Sequence, residues 1–389
     1  MGISRSKPAR EPEPEPKEEP KVKVVVPPKV KVVVPPLFDP PPTAARTRML
    51  VPEYELWFGK PWLHRLFEDY FDLAGSVQAG LMLKMLEDPH ADLTATGTVS
   101  PAGGKAQIRW QRGLDNPDSF VDILMSTSKP TLKLRSSIYS TTYGVGAFAA
   151  FPLDLEKSAR SEDNGVVGLR YGSQNLSFGA SFVPFLSSSE PPSVVPYGAW
   201  LVGRLGGFSA GAQYKPLSEN KHSLPIEDLK NWDYAISYDV GSASPLSPSF
   251  NFSLELLRST QLVASFYQHQ VAQREDKWPE TPDPPKITNY IDFGLELATR
   301  VGKDKPTDDA ENSSFQIAAN WQANKNFLVK GKLGPSKSSV ALALKSWWKP
   351  LFTFSVTAVN DHSKGTTAYG FGIHVDDLRN PDSESHLQS

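Results

Sequence analysis

The sequence predicts an all-β chain: a transmembrane β-barrel of about 19 antiparallel meander strands, preceded by an N-terminal amphipathic helix and a disordered Pro-rich arm. Three observations predict it. Apolar and small or polar residues alternate with period two over most of the chain after residue 75, the pattern of strands with two unlike faces. Most of these segments run about 9 to 11 residues, the length of a tilted strand crossing a bilayer and longer than the usual five or six of soluble sheets. No apolar run approaches the roughly 18 to 20 residues of a membrane helix, and alternating strands produce an unremarkable mean hydropathy such as the −0.36 of this chain.

Residues 1–48 hold 12 of the 35 prolines, in a Glu-Pro run from Glu11 to Pro20, a duplicated octad KVKVVVPP (Lys21 to Pro28, Lys29 to Pro36) and Pro40 to Pro42. Prolines remove backbone donors and favour polyproline II, so this stretch reads as an extended, disordered arm. Its plain role is a spacer. Its sharper role is docking, by adding a Val-rich strand to the sheet edge of a cytosolic partner or by meeting an aromatic groove. The opening MGISRSK fits the myristoylation pattern, with Gly2 as the acceptor and Ser6 as the hydroxyl residue. The five glutamates between Glu11 and Glu19 argue against an acid-poor mitochondrial presequence.

Residues 49–74 are strongly aromatic. Pro61 suits a helix start, and Trp62, Leu63, Leu66, Phe67, Tyr70 and Leu73 recur at helical spacing, predicting an amphipathic helix of about three and a half turns. Such a stripe more often packs on a sheet; lining a pore or lying on a membrane is the functional alternative.

Residues 75–376 form the predicted barrel. Strands are expected near 75–86, 92–99, 104–112, 119–126, 130–138, 142–151, 164–172, 175–183, 195–203 and 206–214. They continue near 230–240, 248–257, 261–270, 287–299, 313–322, 326–334, 338–346, 351–359 and 367–375. Leu176, Phe178, Ala180 and Phe182 against Ser177, Gly179 and Ser181 give the pattern at its clearest. Connections such as Asp115-Asn116-Pro117-Asp118 carry turn residues. The apolar face is rich in Phe, Tyr and Trp, unlike the aliphatic interior of a sandwich, and the other face is small, polar or charged, as a wet lumen requires. Trp110, Tyr143, Trp200, Trp232, Tyr290, Trp321, Trp347 and Trp348 are expected at interfacial girdles. Residues 377–389 read as a polar tail.

With lipid outside and water inside, the lumen receives Arg109, Lys133, Arg135, Arg170, Lys330 and Lys332, together with Asp233, Asp239, Glu255, Asp292 and Glu296. Wall charges of this kind set ion selectivity, but six basic against five acidic residues give no clear sign. Any one of them could equally be a solvated residue at a strand end.

Other functions find little support. The chain has no Cys, which excludes disulfides, Cys-based metal sites and a Cys nucleophile. Its seven His are scattered without metal-ligand spacing, Gly144-Val145-Gly146 lacks the third Gly of a dinucleotide site, and neither a P-loop nor a Gly-x-Ser-x-Gly elbow occurs. No cofactor and no enzymatic activity are expected. Charge is near balance, net −2, with no basic stripe for nucleic acid.

The closing AYGFGIHV, Ala368 to Val375, resembles the sorting signal of the mitochondrial porin family, which includes the voltage-dependent anion channel and the protein-import channel. Gly370, Ile373 and Val375 occupy the matching positions. Ala368 stands where that signal has a polar residue, and a polar tail of about fourteen residues follows. The resemblance extends over the residue pattern of Phe315 to Val375 and, in architecture, from Trp62 to Val375. It implies an odd-stranded, VDAC-like porin in the mitochondrial outer membrane, or alternatively in the chloroplast outer envelope, with the helix in or near the pore. It also implies insertion by the outer-membrane assembly machinery and passive diffusion of ions and small metabolites; a divergent plant relative fits best. Two alternatives stay open: a non-conducting barrel scaffold that recruits partners through its arm, and a soluble all-β carbohydrate-binding or hydrolytic protein.

Overall fold

The structure is a computed structural model that describes residues 48–376, except 86, 89, 115, 117, 128–131, 154–164, 183–196, 216–228, 242–246, 275–285, 302–312, 325 and 347–350. The arm with Gly2 and the KVKVVVPP octads, the tail 377–389, and Trp347 and Trp348 lie outside the described residues.

Nineteen strands form one closed β-barrel. They are β1 Val77–Lys84, β2 Ala91–Ser100, β3 Gly103–Gly113, β4 Phe120–Ser126, β5 Leu132–Ser140, β6 Val145–Pro152, β7 Val166–Gly172, β8 Leu176–Phe182, β9 Tyr197–Leu205 and β10 Phe208–Tyr214. The series continues with β11 Trp232–Gly241, β12 Ser249–Leu257, β13 Gln261–Arg274, β14 Lys286–Arg300, β15 Ser313–Asn324, β16 Phe327–Leu333, β17 Lys337–Lys345, β18 Leu351–Asp361 and β19 Thr366–Asp376. Every expected strand has its counterpart. Neighbours in sequence pair antiparallel, and the ring closes through one parallel pairing, β1 on β19, with Ala79 opposite Ile373. An odd number of meander strands forces that parallel seam, because the first and last strands then run the same way. Closure leaves no unpaired edge.

Lengths depart from the expectation at both ends of the range. β4, β7, β8, β10 and β16 have 7 residues each, whereas β13, β14 and β15 have 14, 15 and 12. The three long strands pair with one another over most of their length, with a register irregularity at Ala272/Gln273.

The two faces differ as alternation requires. Outward residues are large, apolar and exposed, among them Phe208, Ile236, Phe252, Phe293, Trp321 and Phe371. Inward residues are small or polar and buried, such as Ser209, Ser237, Asn251, Ser253 and Thr357. Two of the expected girdle aromatics are corrected. Trp200 is 4% exposed while its neighbour Leu201 is 55% exposed, so strand alternation turns Trp200 inward. Tyr290 shares the inward parity of Asp292 and stacks on His269, with ring centroids 5.5 Å apart.

Residues 48–74 occupy the barrel interior. This short stretch touches β6, β9, β10, β14, β15, β17, β18 and β19, all on the polar face, and it reaches strands so far apart around the ring only by crossing the lumen. Instead of one helix of three and a half turns it forms an eight-residue helix, α1 Lys60–Phe67, flanked by single 3₁₀ turns at Glu53–Leu56 and Phe71–Leu73. Gly59 enters α1 in a left-handed conformation (φ 74°), and Pro61 fits its first turn. Tyr70 leaves α1 with φ 72°, and Thr357 Oγ1 donates to its carbonyl at 2.6 Å. The helix itself has already ended at Phe67, where the Glu68 N–H donates to the His64 carbonyl, earlier than side-chain spacing alone suggests.

Candidate functional site

The inner wall and residues 48–74 form one packed polar and aromatic interior. Two apolar clusters seat the segment. Tyr54 and Phe58 pack with Phe148, Trp200, Val202 and Ala235. Leu63, Leu66 and Phe67 pack with Tyr267 and Ala318. Glycines on the wall make room for these side chains: a Cβ on Gly211 would press on the Phe58 ring at 2.9 Å, and one on Gly294 would meet the Leu66 methyl at 2.5 Å. Burying a large aromatic or aliphatic side chain stabilises by roughly 1.5–3 kcal/mol, so the five large segment side chains in these clusters hold the segment far more firmly than a surface helix.

All eleven charged residues expected on the inner face have inward strand parity, and ten have a defined partner. Asp122, 0% exposed, receives Arg109 Nε at 3.1 Å and Arg135 at 2.7 and 2.8 Å. Arg170 donates to the Met49 carbonyl at 2.9 Å, to those of Arg48 and Val51 at 3.4 Å, and pairs with Glu53. Lys330 donates to the carbonyls of Arg65 and Asp69, and Lys332 to that of Phe67 at 3.1 Å. These two ammonium groups thus sit at the carboxyl end of α1, where the helix dipole and the unpaired carbonyls favour cations.

Glu255 pairs with Lys60 at 3.0 Å. Asp292 accepts from Tyr267 at 2.9 Å and Asn320 at 2.8 Å, and contacts His269 Nδ1 at 2.6 Å. Glu296 accepts from Gln316 at 2.9 Å, and Asp239 from Asn251. Asp233 accepts the backbone N–H of Arg258 at 2.8 Å, near the strand end. Lys133 also lies inward on β5 and makes contacts of its own. Of the three positions where the sequence resembles a sorting signal, Ile373 is exposed outward, Val375 shares its parity, and Gly370 faces inward against the Leu73 carbonyl.

Burial raises the pKa of the Asp69 carboxyl, which lies off the strands, above the usual carboxylate range; Lys330 and Arg65 pull against that shift without reversing it. Burial likewise pushes the Tyr54 hydroxyl well above the ordinary phenol value, and nearby Glu255 adds to the shift.

Between the segment and β10 to β16 lies a cavity of about 350 Å³. Trp57, Trp62 and Leu66 line it from the segment; Asn251, His269, Asp292, Asn320, Gln322 and Lys330 line it from the wall. Asp122, His269, Asn251 and Asn320 were not among the residues singled out from sequence. Strand parity would have found them, since each shares a face with an inward charge: Asn251 with Glu255 on β12, and Asn320 opposite Asp292 across β14 and β15. Among the described residues no group of three or more His, Asp or Glu is arranged to hold a metal ion. Comparison with protein-family models gives no match for the chain, and comparison with curated proteins gives none either.

Proposed function

We propose that the chain is a porin-like channel of an organelle outer membrane, passing ions and small metabolites by passive diffusion through a bore narrowed by its own residues 48–74. The observation that carries the reading is the pairing of two unlike faces on one closed ring. Large apolar side chains stand exposed on the outside, where only a nonpolar medium would cover so extended a surface. Polar and charged side chains line the inside, where they can solvate what passes. The likeness of AYGFGIHV to a porin sorting signal supports the mitochondrial outer membrane as the location, with the chloroplast outer envelope as the alternative. It also supports delivery by the outer-membrane assembly machinery.

Lumenal charge follows from the pairings. Arg170, Lys330 and Lys332 spend their donors on the segment, so with the segment seated the basic wall contributes less to passing ions than its count suggests. Weak ion selectivity is the consequence. Carbonate extraction of the native membrane fraction tests the location: retention in the pellet is expected, and release into the supernatant would remove the channel. Liposome swelling in small solutes tests permeation.

A second reading has one observation in its favour, the segment lying across the lumen. The barrel would then be a non-conducting scaffold whose arm recruits a partner. That reading expects no permeation, and loss of an interaction when residues 1–48 are removed.

A further inference from the structure

We infer that the 350 Å³ cavity between residues 48–74 and the inner wall is a binding site for a small neutral polyhydroxylated solute, of mono- or disaccharide size. Its volume falls within the range of small-molecule pockets. The two sides of the cavity differ in chemistry. The segment presents the indoles of Trp57 and Trp62, and Trp62, stacked on Tyr267 with centroids 6.1 Å apart, keeps 39% of its surface exposed. The wall presents amide and carboxylate groups on neighbouring strands. Two of its amide oxygens, Asn251 Oδ1 and Asn320 Oδ1, are buried without a hydrogen-bond partner, a costly state that an incoming hydroxyl could relieve after a small side-chain adjustment.

Charge decides the class of ligand. The formal charges on the lining balance, Asp69, Asp239 and Asp292 against Arg65, Arg204 and Lys330, with Asp69 beside Lys330 and Arg65 and with Arg204 donating to the Gly206 carbonyl. Asp292 is held by Tyr267, His269 and Asn320, and Asp239 by Asn251. Lys330 is held by two carbonyls, and Arg65 lies 5.4 Å from the Trp62 ring. An anion or cation entering would bring an uncompensated charge into a site whose own charges are spent. A neutral ring that stacks one apolar face on indole and turns its hydroxyls to amides and carboxylates meets no such penalty.

The inference deepens the channel reading, placing a solute-binding station in the lumen, but binding can be measured without transport. The test titrates sucrose and glucose, by calorimetry, against the full chain purified in detergent micelles. The expected result is saturable binding of at least one of them, weakened at least tenfold by Trp62→Ala. Glucose 6-phosphate, with its dianion, is expected to bind no better than glucose. Heat-modifiable mobility of the Trp62→Ala chain shows that the barrel has folded; should it not fold, Trp57→Phe replaces it, with the same tenfold expectation. Absence of saturable binding to the wild-type chain, binding indifferent to both indoles, or a phosphorylated sugar binding tenfold tighter than glucose would each overturn the site. Binding by a chain that carries no current would leave the site standing and remove the channel, whereas current without binding does the reverse.

Discussion

Asp122 holds two guanidinium groups on the inner wall and is itself fully buried. Removing its charge leaves Arg109 and Arg135 facing each other, and breaking a buried ion pair from one side costs about 3–5 kcal/mol. Asp122→Asn is therefore expected to lower the urea midpoint of the folded chain in detergent well beyond what a surface Asp→Asn change does. Asp69 acts in the opposite direction. Its folded-state pKa is raised by burial, so the folded chain holds the proton more tightly than the unfolded one. The cost of charging Asp69 is absent below the ordinary carboxylate value and grows as pH rises through the raised one. Relative to Asp69→Asn, the wild-type chain should gain thermal stability as pH is lowered from neutrality to the ordinary carboxylate value. A difference between the two that stays flat with pH would contradict this.

At the scale of the element, the segment 48–74 is a second layer inside the barrel, fixed by apolar anchors and by cations on its carbonyls. Phe58 is 2% exposed and central to the larger cluster. Phe58→Ala removes an anchor of the kind worth about 3–5 kcal/mol and should expose the Arg65–Leu66 bond to trypsin, with cleavage measured by mass spectrometry. The last strand carries a second consequence. Gly370 stands where the sequence resembles a sorting signal, yet a methyl there would run into the Leu73 carbonyl where the segment joins the wall. Gly370→Ala should cost about 1–3 kcal/mol through overpacking, read as a lower urea midpoint of protein refolded from denaturant in detergent, with no assembly machinery present. A midpoint equal to wild type would contradict this packing role. The helix was legible only in part. Pro61 and the stripe at Leu63, Leu66 and Phe67 locate α1, but the path beyond Phe67 is held from far away, by Thr357, which lies 287 residues beyond Tyr70 and donates to its carbonyl.

At the scale of the whole molecule, alternation is a local property, so each strand could be read from its own residues, and an odd count closed by β1 on β19 follows from their number. What local pattern could not supply is what fills the ring. Arg170 reads as a lumenal cation, but that it holds residues 48–53 depends on partners more than a hundred residues away. Trp200 and Tyr290 read as girdle aromatics from their chemistry, but strand parity turns both inward. Asp122 stands between Val121 and Ile123 in an otherwise apolar run, which hides its inward face in the sequence. The central claim is that this ring is a conducting pore with a partly filled bore. The most direct measurement is single-channel recording of the purified full chain in a planar lipid bilayer. Discrete, weakly selective conductance steps are predicted, rising in size when Phe58→Ala loosens the segment; a folded, bilayer-inserted chain that passes no current in either form would contradict the account.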